Sequence, residues 1–313
     1  MSDSQYDLVI IGAGPAGSAA AVYAARKRLK TCLLTFDFGG QSIVSSEIQN
    51  WVGTPAISGN DLAKAFKEHV STYAQEYVEI KEGERVKEIE KILEESFIVR
   101  TEKGLETNTR AILISTGSNR RKLPVPGAYE FENKGLTYCA SCDGPLFADQ
   151  DVAVIGGGNA AFETAAQLLA YAKSVTLLHH GKCFKADEVT VEKVLSHPNM
   201  KGLLHAETIE VLGDKFVTGL KYKDTQTEQE TVLSVAGIFV EIGMLPNTEF
   251  LGEMVTRDPY GRIEIDPWTQ RTTQQGMWAA GDCTNIKYHQ NNIAAGDGVR
   301  ALEDIYLSLR AGK

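Results

Sequence analysis

The sequence predicts an α/β fold that contains two copies of one strand–turn–helix–strand unit. The first copy begins with the apolar run at residues 7–11, which enters a glycine-rich turn at Gly12. The second begins with residues 151–155 and enters a similar turn at Gly156, 144 residues after Gly12. Short apolar runs are typical of strands buried on both faces of a parallel sheet. Because 313 residues suffice for about two domains, we interpret the repeat as two Rossmann-like dinucleotide-binding folds.

The remaining sequence predicts elements that complete these units. The stretches at 78–109 and 203–233 resemble short strands and turns whose order the sequence does not give. A helix is predicted at 61–77, with Asp61 as its N-terminal cap. The other predicted elements are helices at 18–26, from after Ala161 to about Lys173 and at 292–309, and strands at 31–34, 110–114, 174–178 and 236–240.

Composition and charge exclude several classes of protein. Apolar residues make up 43% of the chain, which is too many for a disordered protein. The 32 Lys and Arg against 41 Asp and Glu give a net charge of −9, which does not suit nucleic-acid binding. No run approaches the ~18 apolar residues of a membrane span, and the polar start is unlike a signal peptide. We therefore expect a cytoplasmic protein that binds neither nucleic acid nor membrane.

Each glycine-rich turn has the residues that a dinucleotide requires. In the first turn, Gly12 permits the tight bend, Gly14 lets the backbone approach a pyrophosphate, and Gly17 lets helix and strand pack closely. Phosphate would then lie at a helix N-terminus, where free N–H groups and the helix dipole favour anions. In the second turn the same three roles fall to Gly156, Gly158 and Ala161.

The position that normally contacts a ribose does not hold an acid in either unit. An acid is expected about 20 residues after the first glycine. The first unit has Thr35 at that distance, with Asp37 as the nearest acid, and the second unit has His179. Residues 179–185 contain no carboxylate. We interpret this segment either as a solvated basic loop or as a site for a 2′-phosphate formed by His180, Lys182 and Lys185.

Five cysteines are too few and too scattered for a secreted disulfide framework. Only Cys139 and Cys142 lie close in sequence, and this spacing suits either a redox disulfide or half a metal site. Because no second pair of ligands follows, we expect no metal. Asp143 adjoins the pair and can move a proton to or from a thiolate. A redox-active disulfide is the favoured interpretation, while Cys32 and Cys283 are interpreted as packing residues.

Several motifs together resemble the low-molecular-weight thioredoxin reductases over essentially the whole chain. The segments at 135–147, 237–248 and 281–288 are more similar still to the flavoprotein subunit of alkyl hydroperoxide reductase. That flavoprotein has an additional N-terminal thioredoxin-like region, which we expect this chain to lack. The motifs that carry the resemblance are Gly12-x-Gly14-x-x-Gly17, Gly39-Gly40-Gln41, Thr116-Gly117, Cys139-x-x-Cys142-Asp143, Gly156-Gly157-Gly158-Asn159-Ala160 and Ala280-Gly281-Asp282.

The resemblance implies an FAD-dependent thioredoxin-disulfide reductase that forms a homodimer. It implies a discontinuous FAD-binding domain at 1–118 and 247–313. A pyridine-nucleotide domain at 119–246, carrying the cysteine pair, would be inserted within it. Electrons would pass from NADPH or NADH through FAD and the cysteines to a thioredoxin or a thioredoxin-like protein. Rotation of the domains near 116–122 and 245–249 would let nicotinamide and disulfide use the flavin alternately.

The resemblance also implies roles for individual residues. Cys142 would face the flavin, Cys139 would attack the partner disulfide, and Asp143 would act as general acid and base. The residues implied at the nicotinamide nucleotide are Gly156, Gly158, Asn159, Ala160, His180 and Lys185. The residues implied at FAD are Gly12, Gly14, Pro15, Ala16, Gly17, Gly40, Gln41, Asn50, Thr116, Gly117, Gly281, Asp282, Gln290, Asn291 and Ala294.

The electron donor and the acceptor stay open at this stage. Thioredoxin reductases that use NADPH have a His-Arg-Arg run where this chain has His179, His180 and Gly181, and the NADH-preferring flavoprotein has Glu at His179. One alternative is therefore a donor such as ferredoxin with the same acceptor chemistry. A second is a reductase of a peroxiredoxin system that acts on a separate thioredoxin-like carrier. A third is a flavin-bearing sensor without turnover.

Overall fold

The computed structural model describes residues 5–45, 47–93 and 96–311, so residues 1–4 of the polar start lie outside the described part. The chain divides into two compact units. Unit 1 comprises Met1–Asn119 and Leu245–Lys313, and unit 2 comprises Arg120–Met244. The predicted α/β class is confirmed, because both units contain parallel sheets and helices.

The helices of the described chain are α1 (Pro15–Arg26), α2 (Gly59–Ala74), α3 (Ala140–Asp143), α4 (Asn159–Leu168), α5 (Glu188–Leu195) and α6 (Asn291–Ala311). Its strands are β1 (Tyr6–Ala13), β2 (Thr31–Phe38), β3 (Val78–Glu82), β4 (Val86–Leu93), β5 (Ser96–Thr101), β6 (Glu106–Ile114), β7 (Ser118–Arg120), β8 (Leu136–Thr137), β9 (Asp151–Ile155), β10 (Ser174–Leu178), β11 (Met200–Leu203), β12 (Ala206–Gly213), β13 (Val217–Asp224), β14 (Glu230–Ser234), β15 (Gly237–Val240), β16 (Met244–Pro246) and β17 (Met277–Ala279). Short 3-10 helices lie at Gly40–Val44, Gly144–Phe147 and Glu249–Leu251.

Unit 1 is built on a sheet in the order β3-β2-β1-β6-β5-β4, with β17 also paired to β6. Strands β3, β2, β1, β6 and β17 run parallel, and β5 and β4 are added antiparallel. Alternate residues of β1 enter different cores, because successive side chains point to opposite faces of a sheet. Leu8 and Ile10 pack with α1 and α6, whereas Val9 and Ile11 pack on the other face.

Unit 2 contains a parallel sheet in the order β11-β10-β9-β15-β8 and a separate antiparallel sheet, β12-β13-β14. Strand β9 pairs with β10 on one side and with β15 on the other. Val152 and Val154 of β9 pack on the face that holds α4, and Ala153 and Ile155 pack on the opposite face. That opposite core also holds residues of β12 and β13.

The structure corrects the prediction for the helix expected at 61–77. This helix is α2, and its cap is Ser58, whose Oγ accepts a hydrogen bond from the Asp61 N–H at 3.1 Å. Asp61 lies inside the first turn and forms an ion pair with Lys64 at 2.9 Å. The cap assignment to Asp61 was therefore wrong. Either residue type can cap a helix, and the contact of Ser58 with a backbone N–H decides between them.

Other boundaries differ by a few residues from those predicted. Helix α1 begins at Pro15, because proline suits the first turn, where its missing N–H costs nothing. The helix predicted to end at about 173 ends at Leu168, and the chain tightens afterwards into bonds from Ala170 to Gln167 and from Tyr171 to Leu168. No helix among the described residues is both long enough and apolar enough to cross a membrane.

Candidate functional site

The turn between β1 and α1 is closed by backbone contacts that only glycine permits. Gly12 has φ +100°, and a Cβ there would lie 2.5 Å from the Ser115 carbonyl oxygen. A Cβ at Gly17 would lie 1.8 Å from the Gly12 carbonyl oxygen. Backbone atoms cannot move aside as a side chain can. Both glycines are therefore required by the packing of unit 1 itself.

Gly14 is different, because no contact with the described residues requires it to be glycine. Its φ is −70°, and a Cβ there would meet no atom within 4 Å. It is the N-terminal cap residue of α1 and makes no side-chain cap bond. Gly40 faces it, since a Cβ at Gly40 would lie 3.6 Å from the Gly14 Cα. An open backbone surface at a helix N-terminus suits a phosphate, so the residues present fit a pyrophosphate.

Thr35, at the position expected to contact a ribose, holds the turn together. Its buried Oγ1 accepts a hydrogen bond from the Ala13 N–H at 3.1 Å and donates one to the carbonyl oxygen of Asp37. At the position where an acid would contact a ribose, the threonine hydroxyl thus bonds to the turn instead.

Other residues expected at FAD come together in unit 1 from distant parts of the chain. A Cβ at Gly281 would lie 3.3 Å from the Cβ of Ala294 and 3.4 Å from that of Ala16. Asn50 donates to Gln290 at 3.1 Å. These contacts join β1–α1, the segment after β2 and the start of α6. No ligand contact tests the individual roles, so these stay predictions.

Three further polar residues of this site were missed by the sequence reasoning. Ser42 donates to the predicted Asn291 at 3.0 Å, and Asn119 accepts from the predicted Gln41 at 2.9 Å. The third is Asn247, whose carbonyl oxygen accepts from Thr116 Oγ1 at 2.7 Å. Asn247 lies in the segment at 237–248 that carried part of the resemblance, which was an available signal. Neither Ser42 nor Asn119 belongs to a motif.

His289 lies beside Asp282 at the N-terminal side of α6. Its Nδ1 is 3.6 Å from an Asp282 carboxylate oxygen, and its Nε2 is 3.0 Å from the Ile286 carbonyl oxygen. The ring is thus oriented by the carbonyl group, with its other nitrogen toward the acid. This places His289 next to a residue expected at the flavin.

In unit 2, Cys139 and Cys142 form a disulfide with their Cα atoms 5.4 Å apart. Cys139 is the N-terminal cap residue of the short helix α3, which contains Cys142 and ends at Asp143, whose N–H donates to the Cys139 carbonyl oxygen at 3.1 Å. Thr137, at the end of β8, connects the group: its Oγ1 donates to the Asp143 carboxylate and accepts from the Cys139 N–H at 3.3 Å. The three predicted catalytic residues therefore form one hydrogen-bonded group.

Partial burial raises the pKa of the Asp143 carboxyl above its ordinary value. The hydrogen bond from Thr137 and the charge of Arg120 lower the pKa and so offset part of this rise. A carboxyl group with a raised pKa holds a proton at higher pH than usual, which is what a proton donor to a leaving thiolate requires.

The three other cysteines are free thiols. Cys32 and Cys283 are fully buried, as predicted for packing residues, and burial raises the pKa of the Cys32 thiol to about 12 and that of Cys283 to about 11. Cys183 is exposed. Thiols with such raised pKa values are poor nucleophiles near pH 7, which disfavours exchange chemistry at Cys32 and Cys283.

The second glycine turn connects β9 to α4. Gly156 presses against the chain after β15, since a Cβ there would lie 2.4 Å from the Glu241 carbonyl oxygen. Gly158 is the N-terminal cap residue of α4 and, like Gly14, has nothing within 4 Å of a Cβ. Ala161, in the third role, is completely buried. The turn therefore leaves the same open helix N-terminus as the first one.

The basic segment after β10 folds back onto this turn. The Lys185 N–H donates to the Gly157 carbonyl oxygen at 2.7 Å, and the Asp187 N–H donates to the side chain of Asn159 at 2.8 Å. Asn159, predicted at the nucleotide, thus also fixes this loop. His180 and the side chain of Lys185 are exposed. The backbone of the basic loop therefore lies against the turn, and the roles of His180 and Lys185 at a 2′-phosphate stay predictions.

This combination of two phosphate-type turns and a redox disulfide defines a class of protein, and comparison with known families agrees. The model of the family "Pyridine nucleotide-disulphide oxidoreductase" matches residues 6–298. The chain belongs to this family. Membership implies FAD and a nicotinamide nucleotide as cofactors, with NADH and NADPH both open.

Individual relatives confirm the resemblance on which the sequence analysis relied. The chain is 41% identical over 299 residues to a subunit of the alkyl hydroperoxide reductase of Escherichia coli. It is 40% identical over 296 residues to an NADH dehydrogenase of Bacillus subtilis. These alignments cover 95% of this chain and 57% of each relative, so the chain spans little more than half the length of the curated relatives it matches.

A solved structure matches the chain over its full length. The thioredoxin reductase of Streptococcus pyogenes superimposes with a TM-score of 0.89 at 32% identity, covering 99% of this chain and 100% of the other.

Proposed function

We propose that this chain reduces a disulfide of a thioredoxin-fold protein with electrons from NAD(P)H, passed through FAD and the Cys139–Cys142 pair. The observation that carries the proposal is the hydrogen-bonded group of disulfide, Thr137 and Asp143. It stands in a chain with two open helix N-termini, at Gly14 and Gly158. A binding protein or sensor has no need of a proton-holding carboxyl group beside its disulfide.

The two cofactors divide between the units in this proposal. FAD is held by unit 1, through the turn at Gly12, Gly14 and Gly17 and the residues around Asn50, Asp282 and Gln290. The nicotinamide nucleotide is held by unit 2, at Gly156, Gly158 and Asn159 and the basic groups of His180 and Lys185. When bound, the pair supplies two-electron transfer. We assign the FAD domain to 1–118 and 247–313 and the nucleotide domain to 119–246.

The acceptor step is a thiol–disulfide exchange. In the reduced protein the Cys139 thiolate attacks one sulfur of the partner disulfide, and the other partner sulfur leaves as a thiolate. The Cys142 thiolate then attacks the Cys139 sulfur, which releases the second partner sulfur and restores the Cys139–Cys142 disulfide. The partner gains two electrons and two protons. One NAD(P)H and one proton from solvent return the cysteine pair to the dithiol.

Asp143 moves protons in this exchange. Partial burial raises its pKa and so favours the protonated carboxyl group, which can deliver a proton to a departing thiolate, and its bond from Thr137 holds it beside the cysteines. The Asp143→Asn variant has a side chain of the same shape but no carboxyl proton to donate. A positioned general acid typically contributes about 10²- to 10⁴-fold, so we expect a loss of about 100-fold in partner reduction.

The partner is tested by trapping. In a Cys142→Ser variant, Cys139 has no thiol to resolve the mixed disulfide and should stay bonded to its partner. The trapped protein is then released with dithiothreitol and identified by mass. Cys183→Ser is the matched control, since it removes an exposed thiol outside the pair. Equal trapping by the double variant Cys139→Ser/Cys142→Ser would contradict the proposal.

The donor is tested by mixing the flavin-loaded protein anaerobically with NADPH and, separately, with NADH. Rapid bleaching of flavin absorbance by either supports a nicotinamide donor. Bleaching by reduced ferredoxin alone would show that ferredoxin, and not a nicotinamide nucleotide, is the donor. Bleaching by dithionite alone would indicate a flavin-binding protein without turnover.

A second acceptor is favoured by the 41% identity to a component of alkyl hydroperoxide reductase. This acceptor is a separate thioredoxin-like carrier of a peroxide-reducing system. The same trap distinguishes the two acceptors, because the captured protein would be this carrier rather than a general thioredoxin.

With either acceptor, we propose that the protein is a cytoplasmic homodimer.

A further inference from the structure

A largely buried ion pair lies where the parallel sheet of unit 2 would receive its ligand. Glu241 directly follows β15, and its side chain is 12% exposed. One carboxylate oxygen lies 3.4 Å from Nη1 of Arg120, and the other accepts a hydrogen bond from Thr164 Oγ1 of α4 at 2.9 Å. Neither Arg120 nor Glu241 has a place in the sequence-derived site.

The topology identifies this place as the ligand crevice. In a doubly wound sheet the ligand lies outside the carboxyl ends of the strands, at the point where the strand order reverses. In unit 2 that point lies between β9 and β15, because the chain runs outward from β9 through β10 to β11 and then returns to β15. Gly156 follows β9, and Glu241 follows β15. The Glu241 N–H donates to the Ile155 carbonyl oxygen at 2.8 Å, which holds the two chain ends together.

The two halves of a dinucleotide lie on opposite sides of that point. The adenosine ribose is contacted from the end of the second strand of the unit, here β10, where His179 and His180 stand. With the pyrophosphate at Gly158, the nicotinamide half then extends toward β15. Glu241 is the first residue after that strand.

Chemistry also favours a role for this carboxylate in binding. An isolated buried carboxylate is costly, and burial raises the pKa of Glu241. Arg120 offsets this by stabilising the charged form. The pair is close to neutral as a whole, so it does not repel a pyrophosphate. An ionised carboxylate has about four acceptor sites, and Arg120 and Thr164 account for two.

From this geometry we propose that Glu241, held by Arg120 and Thr164, is a binding residue for the nicotinamide half of the donor. Its carboxylate accepts a hydrogen bond from the carboxamide NH₂ or from a hydroxyl of the adjoining ribose. Arg120 and Thr164 are positioning residues that fix the carboxylate. The inference rests on the proposed function, because it assumes a nicotinamide donor in unit 2.

The test separates the two halves of the ligand. Binding of NADP⁺ and NAD⁺ to the flavin-loaded protein is measured by calorimetry, together with binding of ADP-ribose and 2′-phospho-ADP-ribose, which lack nicotinamide. Glu241→Ala should raise the Kd of the preferred dinucleotide about tenfold and leave that of its fragment within about twofold, because a hydrogen bond to a charged group is lost only in the first. Glu192→Gln, on the exposed face of α5, is the matched control.

Each outcome of these measurements either supports or overturns the role of Glu241 in binding the nicotinamide half. Glu241→Gln keeps the shape and one acceptor oxygen, so it should give a smaller loss than Glu241→Ala and guards against misfolding of the alanine variant. Equal loss for dinucleotide and fragment would show a merely structural role and overturn the inference. An unchanged Kd for the dinucleotide would overturn it as well. A wild-type protein that binds neither dinucleotide would overturn the proposed donor, and the inference with it.

Discussion

The two glycine turns share a pattern but are held in different ways. In unit 1, Gly12 and Gly17 press against backbone carbonyl groups. In unit 2, the middle glycine, Gly157, presses against a side chain, since a Cβ there would lie 2.3 Å from Nδ1 of the buried His179. The packed glycines of the first turn thus meet backbone carbonyl groups, whereas the second turn combines a backbone contact at Gly156 with a side-chain contact at Gly157. The comparison teaches that the same sequence motif can be rigid throughout in one unit and adjustable at one position in the other.

The largest effect is expected from Gly17→Ala. Its Cβ would lie 1.8 Å from a backbone oxygen, so strand and helix must separate. We expect a loss of at least about 3 kcal/mol in the free energy of unfolding, together with loss of FAD. Denaturant unfolding and flavin absorbance measure the two. Gly296→Ala is the matched control, because its Cβ meets nothing on the exposed side of α6. A yellow Gly17→Ala protein of wild-type stability would refute a backbone-fixed turn.

The next effect separates the two ligands. Gly14→Ala and Gly158→Ala both place a methyl group in open space, so each should change the free energy of unfolding by no more than about 1 kcal/mol. Gly14→Ala should lower flavin content alone. Gly158→Ala should keep the flavin and raise the KM for the nucleotide about tenfold. If either variant lost both ligands, or neither, the division of cofactors between the units would be wrong.

A smaller effect tests whether the second turn is adjustable. Gly157→Ala should cost about 1–3 kcal/mol, because the His179 ring must move. Adding His179→Ala removes the obstacle, so the double variant should recover part of that loss, and a double-mutant cycle measures the coupling. The same cycle for Gly12→Ala with Ser115→Ala should show no such recovery, since the obstacle there is the backbone. Equal recovery in both units would remove the difference between the turns.

The smallest effect is expected from removing one carboxyl group in each unit, the buried Asp297 on α6 and the partly buried Asp143 on α3. Burial raises the pKa of both, so each contributes stability that is present below its unfolded pKa and is lost as pH rises through its folded pKa. Asp297→Asn and Asp143→Asn lack this ionisation. The stability of each variant relative to wild type should therefore rise with pH, measured by denaturant unfolding from pH 4 to pH 8. Only Asp143→Asn should also change the pH profile of partner reduction. A relative stability that falls with pH would contradict the direction of both pKa shifts.

The parts of the site that could be predicted share a local cause. Gly12, Gly17 and Gly156 sit in a turn whose geometry excludes side chains, and Cys139 and Cys142 lie within one helical turn of each other. Asp61 shows the limit even at short range, since Ser58 and Asp61 compete for one cap and only the backbone contact decides. Arg120, Thr164 and Glu241 show the limit at long range, because nothing in their sequence neighbourhoods points to the others.

The sequence by itself determined the two turns, the redox pair and the α/β class, because these depend on steric needs and spacings within a few residues. Only the tertiary structure decided that Thr35 supports a turn, that His179 is buried under Gly157 and that Glu241 is paired with Arg120. Those contacts join segments 22 to 121 residues apart, and their energies depend on which strands lie side by side. Sheet order, which local patterns do not encode, is the physical reason for the difference.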